Sequence, residues 1–349
     1  MADDFRDRRD GTAGRPRLAD VARLAGVSLG SASRAVRTPE LVKRKTREAV
    51  AAAVEQLGYV PDGRARSLAM RKSFTIGAVL PTVNNPVYAD FVQALQAELG
   101  RHGYALIVTT HEYDPEREKV AACSLAQQGI DGIVLIGNDH PDAIAPLIER
   151  AGVPFVFAWS SDNASRYTSV GFSNRRAMQQ LTHYLAGLGH RAFAVLSGPT
   201  LFNERATARL EGIRDALMMN GLSLGPDHII PGDFSPDAGA RGLRRALELT
   251  PRPTALICTT DLVAIGAVAQ AREMGLDVPR DLSIVGFDDI AYARFLTPAL
   301  TTMRVPALEI GRQAGAAIVG AIAGKTVAPV ELQAELVIRD SARPPNEAG

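Results

Sequence analysis

The chain has 349 residues, of which 46% are hydrophobic and 22% charged, a composition typical of globular proteins that excludes a disordered chain. The net charge is only +1, but residues 1–72 contain 16 Lys and Arg against 9 Asp and Glu, whereas residues 73–349 contain 23 against 29. A small basic part joined to a larger acidic part favours a polyanion-binding head on a ligand-binding body, and a basic tail without a partner is the alternative.

Cysteine usage and the lack of long apolar runs predict the cellular compartment of the protein. Cys123 and Cys258 both lie among apolar or small residues, which is typical of reduced core thiols. Residues 1–15 alternate Asp, Arg and Gly, so they predict a disordered tail and not a secretory signal. No apolar run reaches the roughly 18 residues of a membrane span. We therefore expect a cytoplasmic protein without a membrane partner.

The first predicted elements are three short helices. Apolar residues at helical spacing place them at residues 18–25, 29–37 and about 42–57. Gly26 ends the first helix, because the turn there needs a positive φ that glycine adopts at low cost. Ser28 is a natural N-cap for the second helix. Gly58 caps the third, and Pro61 prevents its continuation.

A helix, a glycine-containing turn and a second helix are typical of the helix-turn-helix motif, whose second helix enters the major groove of DNA. We therefore predict an all-α DNA-binding domain over residues 16–60 and a short basic hinge over residues 61–72. In the second helix we expect three residues to face inward: Ala32, Ala35 and Val36. The outward residues are then Leu29, Gly30, Ser33, Arg34 and Arg37.

From Phe74 onward, β-rich runs alternate with amphipathic helical stretches, which predicts parallel sheets covered by helices on both faces. The predicted strands lie within residues 74–81, 104–110, 132–137, 154–159, 192–198, 254–260 and 282–289. This number of strand–helix units favours an α/β body of two doubly wound parallel-sheet subdomains over residues 73–349. In open α/β sheets the ligand binds beyond the carboxyl ends of the strands, so we expect a ligand site there.

Motifs of catalysis are missing from the sequence. It has no G-x-x-x-x-G-K phosphate loop, no H-E-x-x-H, no paired cysteine site and no G-x-S-x-G elbow. We therefore expect no enzyme activity, no cofactor and no metal site, and a sugar-modifying enzyme is the least favoured function.

Several long motifs resemble the lactose-repressor (LacI/GalR) family. They include LADVARLAGVSLGSASRAV, TREAVAAAVEQLGYVP, ERATARLEGIRDAL, RPTALICTTDLVAIGA and VPRDLSIVGFDDI, and the resemblance covers roughly residues 17–340. It implies a body like the periplasmic binding proteins and a sequence-specific DNA-binding regulator, expected to be a repressor. Its effector would be a sugar or sugar acid bound between the two subdomains. The alternative is a sugar-binding protein without a DNA-dependent role.

The resemblance also implies which residues contact DNA. They are Leu29, Gly30, Ser31, Ser33, Arg34, Arg37, Arg66 and Leu68. Leu29 and Gly30 occupy the positions that most influence the choice of base pairs. Arg34 is the leading candidate for a base contact, because a guanidinium bonds guanine O6 and N7 together, and a phosphate or surface role is the alternative. Leu68 matches a hinge residue that wedges between base steps in the minor groove, or else it packs on the body.

A second set of residues is implied to bind the effector. It comprises Tyr88, Trp159, Arg176, Arg205, Arg209, Phe234, Thr260 and Asp288. Asp288 matches a carboxylate that accepts hydrogen bonds from sugar hydroxyls or a base edge, and Phe234 an aromatic that stacks on the ligand. If the three arginines face one cleft, an anionic sugar acid is favoured, because guanidinium pairs well with carboxylate.

The expected assembly is a homodimer on a pseudo-palindromic operator, because the two-fold symmetry of the DNA site matches that of the protein. No heptad extension follows the body, which favours a dimer over a tetramer. Effector and DNA would be linked reciprocally, typically by about 1–3 kcal/mol, through rotation of the N-terminal subdomain. The sequence leaves open whether the effector releases DNA or tightens its binding.

Overall fold

A computed structural model of the chain describes residues 16–60, 72–161 and 167–346. Within this part the chain forms two compact units, one ending at Ser73 and the other beginning at Phe74. The predicted tail and nearly all of the predicted hinge, including Arg66 and Leu68, lie outside the described residues. Every helix in the described part is too short or too polar to cross a membrane.

The first unit is a three-helix head with a small apolar core. Its helices are α1 (Leu18–Leu24), α2 (Leu29–Arg37) and α3 (Arg44–Leu57). Val21, Ala32 and Val50 are almost completely buried, so each helix contributes one residue to the centre of the cluster. The inward residues predicted for α2 all belong to this cluster, and Val27 from the turn packs against it. The predicted helix-turn-helix arrangement is confirmed.

The turns and caps of the head are formed by the predicted residues, Gly26, Ser28 and Gly58. Gly26 and Gly58 have φ of 63° and 60°, and the Ser31 backbone N–H donates to Oγ of Ser28 (3.1 Å). The start of α3 was predicted two residues too early. A 3-10 turn over Pro39–Leu41 precedes it and leaves Val42 in an extended conformation, so the helix begins at Arg44.

The second unit contains two α/β lobes. Its helices are α4 (Pro86–Arg101), α5 (Pro115–Gln127), α6 (Ile144–Arg150), α7 (Asn174–Gly187), α8 (Glu204–Met219), α9 (Pro236–Ala246), α10 (Asp261–Glu273) and α11 (Ala307–Ile322). Its strands are β1 (Thr75–Leu80), β2 (Ala105–Thr110), β3 (Gly132–Ile136), β4 (Phe155–Ala158), β5 (Ser169–Phe172), β6 (Phe193–Ser197), β7 (Ile229–Pro231), β8 (Ala255–Cys258), β9 (Ser283–Val285), β10 (Thr302–Arg304), β11 (Val330–Leu332) and β12 (Glu335–Val337).

The first lobe, here the N-lobe, is built on a six-stranded parallel sheet in the order β11-β5-β4-β3-β1-β2. Helices α4 and α11 cover one face, and α5 and α6 cover the other. Successive residues of β1 serve both faces: Ala78 packs in the core that contains Phe91 of α4, and Val79 in the core that contains Ile148 of α6. This double burial explains why the strands read as continuous apolar runs.

The second lobe, here the C-lobe, is built on a four-stranded parallel sheet in the order β7-β6-β8-β9. Residues of α7 and α8 pack on one face, and residues of α9 and α10 on the other. β10 and β12 form a separate antiparallel pair. Two doubly wound parallel-sheet lobes are therefore present, as predicted.

Each of the seven predicted strand segments contains a strand, but five further strands were not predicted. These are β5, β7, β10, β11 and β12. Each is three or four residues long, which is too short for a periodic pattern to distinguish a strand from a loop. Their pairing depends on segments that are distant in sequence, such as β11 with β5.

The close packing of α9 against α10 depends on Gly266, and a substitution at this position tests how much that packing stabilises the fold. A Cβ on Gly266 would collide with the backbone carbonyl oxygen of Pro236. Backbone cannot move aside cheaply, so we expect Gly266→Ala to lower the free energy of unfolding by about 1–3 kcal/mol. Gly100→Ala in α4 is the matched control, because its Cβ would meet open space and alanine is the better helix former. Equal effects in urea denaturation would contradict this packing.

Candidate functional site

The outer face of α2 presents five of the eight residues that were predicted to contact DNA. Leu29, Gly30 and Arg34 are exposed, and Ser31 and Ser33 are half-buried. Leu29 is a large apolar side chain that is 54% exposed, so it is open to contact by a partner. Among the described residues, Arg34 makes one long hydrogen bond, from Nε to the Gly30 carbonyl oxygen (3.4 Å), so its guanidinium can engage another partner. Arg37 is the last residue of α2.

Exposed cations surround the start of α3. Lys43 is the N-cap and makes no side-chain capping hydrogen bond, and the first turn contains no acidic residue. Lys45 is exposed, and Arg44 contacts Glu48 (3.2 Å) on the same helix. Cations at a helix N-terminus oppose the helix dipole and cost about 0.3–1 kcal/mol each when exposed. A phosphate bound at this terminus would offset that cost, because the free N–H groups and the cations both attract an anion.

A second site lies in the body, in a cleft between the carboxyl ends of the two sheets. Its lining comes from both lobes: Asn85, Val87, Tyr88, Tyr113, Trp159, Asn203, Arg205, Ala206, Arg209, Phe234, Thr260 and Asp288. The location agrees with the rule that open α/β sheets bind ligands beyond the ends of their strands.

Asp288 is the central acid of the cleft and is almost completely buried. Burial raises the pKa of Asp288 to about 6, while the positive charge of Arg209 and a hydrogen bond from Asn85 act in the opposite direction. That bond runs from Nδ2 of Asn85 in the N-lobe to Oδ2 of Asp288 in the C-lobe (2.9 Å). The carboxylate is therefore a hydrogen-bond acceptor at neutral pH, and part of its capacity is already used across the cleft.

Asp261, next to Asp288, is structural. It is fully buried, and burial together with the charge of Asp288 raises its pKa to about 8. Its carboxyl accepts the hydroxyl of Thr302 (2.6 Å) and the backbone N–H of Ile290 (2.8 Å), so it holds the segment that carries Asp288. Thr260 is the N-cap of α10, where its side chain accepts from the Val263 N–H.

Arg209 is held rigidly by neighbours on three sides. Its Nε donates to Oδ1 of Asn174 (2.9 Å), its Nη1 donates to the carbonyl oxygen of Thr259 (2.7 Å), and its guanidinium lies 3.9 Å from the ring centre of Phe287. Burial lowers the pKa of Arg209, but the nearby Asp288 favours its charged form. Within the described residues Nη2 has no hydrogen bond, so the side chain presents a pre-oriented cation that can donate to a ligand.

Aromatic side chains supply most of the apolar surface of the cleft. The rings of Tyr88 and Trp159 are 4.8 Å apart in the N-lobe, and Tyr113 meets Phe234 of the C-lobe at 5.1 Å across the cleft. Burial raises the pKa of both tyrosines, so their hydroxyls stay neutral donors at physiological pH. A Cβ on Gly198 would overlap the Phe234 ring, which explains why glycine follows β6.

Seven of the eight predicted effector residues lie together in this cleft, and Arg176 does not. The Arg176 side chain is 60% exposed and forms an ion pair with Glu331 of β11, so the prediction that three arginines face one cleft is wrong for Arg176. Its position at the start of α7 turns it outward, which the spacing of arginines in the sequence does not reveal. Asp289, the neighbour of Asp288, pairs with Arg304 (2.8 Å) and Arg339 (2.7 Å) and is therefore structural.

Five residues of the cleft were not predicted to bind the effector: Asn85, Val87, Tyr113, Asn203 and Ala206. Asn85 and Asn203 cap α4 and α8 in the loops that follow β1 and β6, and this combination of strand end and polar cap was a usable signal. Tyr113 has a positive φ of 60° in the loop after β2, and only the fold brings that loop to the cleft.

Comparison with known proteins finds a matching family model in each of the two units. The family model for bacterial regulatory proteins of the lacI family matches residues 17–62, and a periplasmic binding protein-like domain matches residues 182–342. The HTH-type transcriptional repressor CytR of Escherichia coli K12 is 32% identical over 328 residues, which are 93% of this chain and 96% of CytR.

Solved structures show the same likeness. The lac repressor dimer bound to operator and the anti-inducer ONPF matches with a TM-score of 0.82 and 29% identity, over 95% of this chain and 100% of that one. The complex of the transcriptional regulator CelR with cellobiose matches with a TM-score of 0.69 and 30% identity, over 94% of this chain and all of the other.

Proposed function

Since this chain belongs to the lacI family of bacterial regulatory proteins, we propose that its head binds one operator sequence and that its cleft binds a sugar or sugar acid. The chain is a DNA-binding transcriptional regulator of the repressor type, controlled by a small-molecule effector, and not an enzyme. The observation that supports the operator proposal best is the exposed face of α2, where Leu29 and Arg34 project from a buried core.

In this proposal α2 lies in the major groove. Arg34 contacts a guanine, and Leu29 contacts a thymine methyl group or a similar apolar edge. Gly30 leaves room for the backbone to approach the bases, and Ser31 and Ser33 hydrogen-bond to base or phosphate. Lys43, Arg44 and Lys45 hold a backbone phosphate at the start of α3. Arg66 and Leu68, by resemblance to the family, act in the minor groove.

The cleft suits a small ring with several hydroxyls. Aromatic faces pack on the apolar side of a sugar, while Asp288 accepts hydroxyl protons and Arg209 donates to an oxygen or a carboxylate. CelR, whose solved complex holds cellobiose, shares the fold of this chain over nearly its whole length. With Arg176 outside the cleft, the two remaining arginines are faced by Asp288 and Glu204, so a neutral sugar fits at least as well as a sugar acid.

Large apolar side chains remain exposed in both lobes and support a homodimer. On the N-lobe, Val120 of α5 is 67% exposed beside the edge strand β2, where Ile107 and Val108 are also exposed. On the C-lobe, Phe295 is 71% exposed and Tyr292 lies nearby in sequence, also exposed. Burial of such side chains between two copies contributes favourable free energy at roughly 25 cal/mol per Å². A two-fold dimer also matches a pseudo-palindromic operator.

The test of the proposed function is selection of DNA by the full chain. From a pool of random or genomic duplexes at physiological salt, we expect enrichment of an inverted repeat, bound at least about 10³-fold more tightly than random DNA. Sugars and sugar acids that raise the melting temperature of the protein should then change this affinity in a gel-shift assay. A protein that binds such ligands but selects no sequence would instead be a sugar-binding protein without a DNA-dependent role.

A further inference from the structure

The first two residues of α8 reach from the C-lobe to the end of a strand in the N-lobe. Nη1 of Arg205 donates to the carbonyl oxygen of Ile136, the last residue of β3 (3.0 Å). Oε1 of Glu204 accepts the backbone N–H of Asn138 (2.9 Å), two residues further on. Arg205 therefore donates to the backbone carbonyl before Gly137, and Glu204 accepts the backbone N–H after it. We call these two hydrogen bonds the grip.

Glycine at position 137 makes this grip possible. Gly137 has a φ of 97°, and a Cβ there would collide with Nη1 of Arg205 and lie 2.7 Å from Oε1 of Glu204. Any larger residue would therefore push the two side chains off the strand end. The grip also uses the charge of Glu204, which lies 3.4 Å from Nη1 of Arg205. Burial disfavours the charged form of Arg205, but Glu204 together with the other acidic groups nearby outweighs this effect, so the pKa of Arg205 is raised and the cation is retained.

The gripped segment is firmly attached to the rest of the N-lobe. His140 contacts the Gly137 carbonyl oxygen through Nε2 (2.9 Å) and Oε1 of Glu118 through Nδ1 (2.7 Å). A carbonyl oxygen can only accept, so Nε2 is the donor there. Glu118 belongs to α5 and is buried. Nδ2 of Asn138 donates to Oγ of Ser160 beyond β4 (2.7 Å). A force on this segment is therefore carried to the sheet and to α5.

The gripping side is equally firm. Arg205 is buried, and Asn203 before it caps α8 by accepting the N–H of Ala206. Helix α8 packs along α7 and carries Arg209 one turn later on the same buried side. The grip therefore connects the two lobes, and the cleft between them contains Arg205 and Arg209 together.

We propose that Glu204 and Arg205 are positioning residues that clamp the end of β3 and so fix the separation of the two lobes around the cleft. The inference rests on the proposed function, because the separation matters only if the cleft binds an effector. Arg205 then acts on the effector mainly through the width of the cleft, since its Nη1 is committed to Ile136 and Glu204. The clamp favours one lobe separation, so it contributes to the free energy of binding of any effector that changes that separation.

The test measures the lobe separation directly and needs neither DNA nor an effector. Spin labels are placed on exposed positions of the two lobes through Arg150→Cys in α6 and Arg214→Cys in α8, with Cys123→Ser. Cys258 is fully buried, and burial raises the pKa of its thiol, so it stays unlabelled. Labelled chains are diluted with unlabelled chains, so that distances within one chain dominate. Double electron–electron resonance then gives the distance distribution between the lobes.

We expect Glu204→Ala and Arg205→Met each to broaden the distribution and shift it to longer distances, and the Asn138 amide to exchange its hydrogen roughly tenfold faster or more. Glu204→Gln keeps an acceptor for the Asn138 N–H and should resemble the parent chain. Arg312→Ala, which removes an exposed ion pair within α11, is the matched control and should leave the distribution unchanged.

Folded Glu204→Ala and Arg205→Met proteins with the parent distribution would overturn the clamp. If one of the two does not fold, the other decides, because each removes a different hydrogen bond of the grip. Failure of the clamp would leave sequence-selective DNA binding untouched. A chain that selects no DNA sequence could still show the predicted change in distance, so the two proposals fail separately.

Discussion

Replacement of Arg34 by alanine is expected to lower the affinity for the selected operator by roughly 5- to 150-fold, the equivalent of about 1–3 kcal/mol for a bidentate base contact. Arg34 is exposed on α2 and makes only one long hydrogen bond within the head, so its loss should leave the fold intact. The loss should be largest for DNA that keeps the guanine under Arg34 and small for DNA in which that base pair is changed. Competition gel shifts with single-base operator variants measure this difference.

Lys45→Ala provides the matched comparison on the same domain. Lys45 is exposed in the first turn of α3, and its proposed partner is a phosphate, which carries no sequence information. We expect this variant to weaken binding to all duplexes by a similar factor. The slope of log affinity against log salt concentration should become shallower by roughly 0.9, the value for one phosphate contact. If Arg34→Ala behaved in the same way as Lys45→Ala, Arg34 would be a phosphate contact and not a base contact.

Asp288→Asn should have the largest effect on the cleft. A hydrogen bond from a ligand hydroxyl to a buried carboxylate contributes about 1.5–3 kcal/mol, so we expect the affinity for the effector to fall roughly 10- to 150-fold. The pKa of Asp288 is raised to about 6, and only the ionised form accepts two hydroxyl protons freely. Effector affinity of the parent chain should therefore be constant above about pH 7 and fall as the pH drops through 6. Asparagine does not titrate, so the variant should lose this pH dependence.

Stability distinguishes a ligand contact from a structural role at this position. A carboxyl group whose pKa is higher in the folded than in the unfolded chain favours folding at low pH, and this advantage is lost as the pH rises through the folded value of about 6. Above that pH, Asp288 contributes no net stabilisation through its charge. The melting temperature of Asp288→Asn at pH 7.5 should therefore not fall. Weaker effector binding by calorimetry together with an unchanged melting temperature is the expected pair of results, and a variant that unfolds would contradict the assignment.

Local sequence patterns were sufficient to predict the helices and turns of the head, except for the start of α3. The turn at Gly26, the N-cap Ser28 and the cap Gly58 were all assigned from residue type, because positive φ and capping are properties of one residue and its nearest neighbours. The inward residues of α2 followed from helical periodicity for the same reason. The start of α3 was misplaced because the 3-10 turn at Pro39–Leu41 competes with the helix over a few residues, which periodicity cannot resolve.

Local sequence patterns predict only some of the residues in the cleft. Trp159 and Asp288 follow predicted strands, and the rule for strand ends places such residues at a ligand site without knowledge of the three-dimensional fold. Phe234 follows β7, which was not predicted, so only the family resemblance implied its place in the cleft. The same rule does not say which side chains at a strand end turn inward. Arg176 begins a helix after a strand, as Arg205 begins α8 closely after one, yet Arg176 pairs with Glu331 at the surface while Arg205 is buried.

The amino-acid sequence was enough to determine the two-part architecture, the exposed face of α2 and the predicted strand ends at the cleft, because each depends on periodicity or capping within about ten residues. Contacts between residues that are far apart in the chain were decided only by tertiary structure. The bond from Asn85 to Asp288, the pairing of Tyr113 with Phe234 and the grip of α8 on β3 all belong to this class. They arise where two separately folded sheets meet, and no local pattern encodes the distance between them.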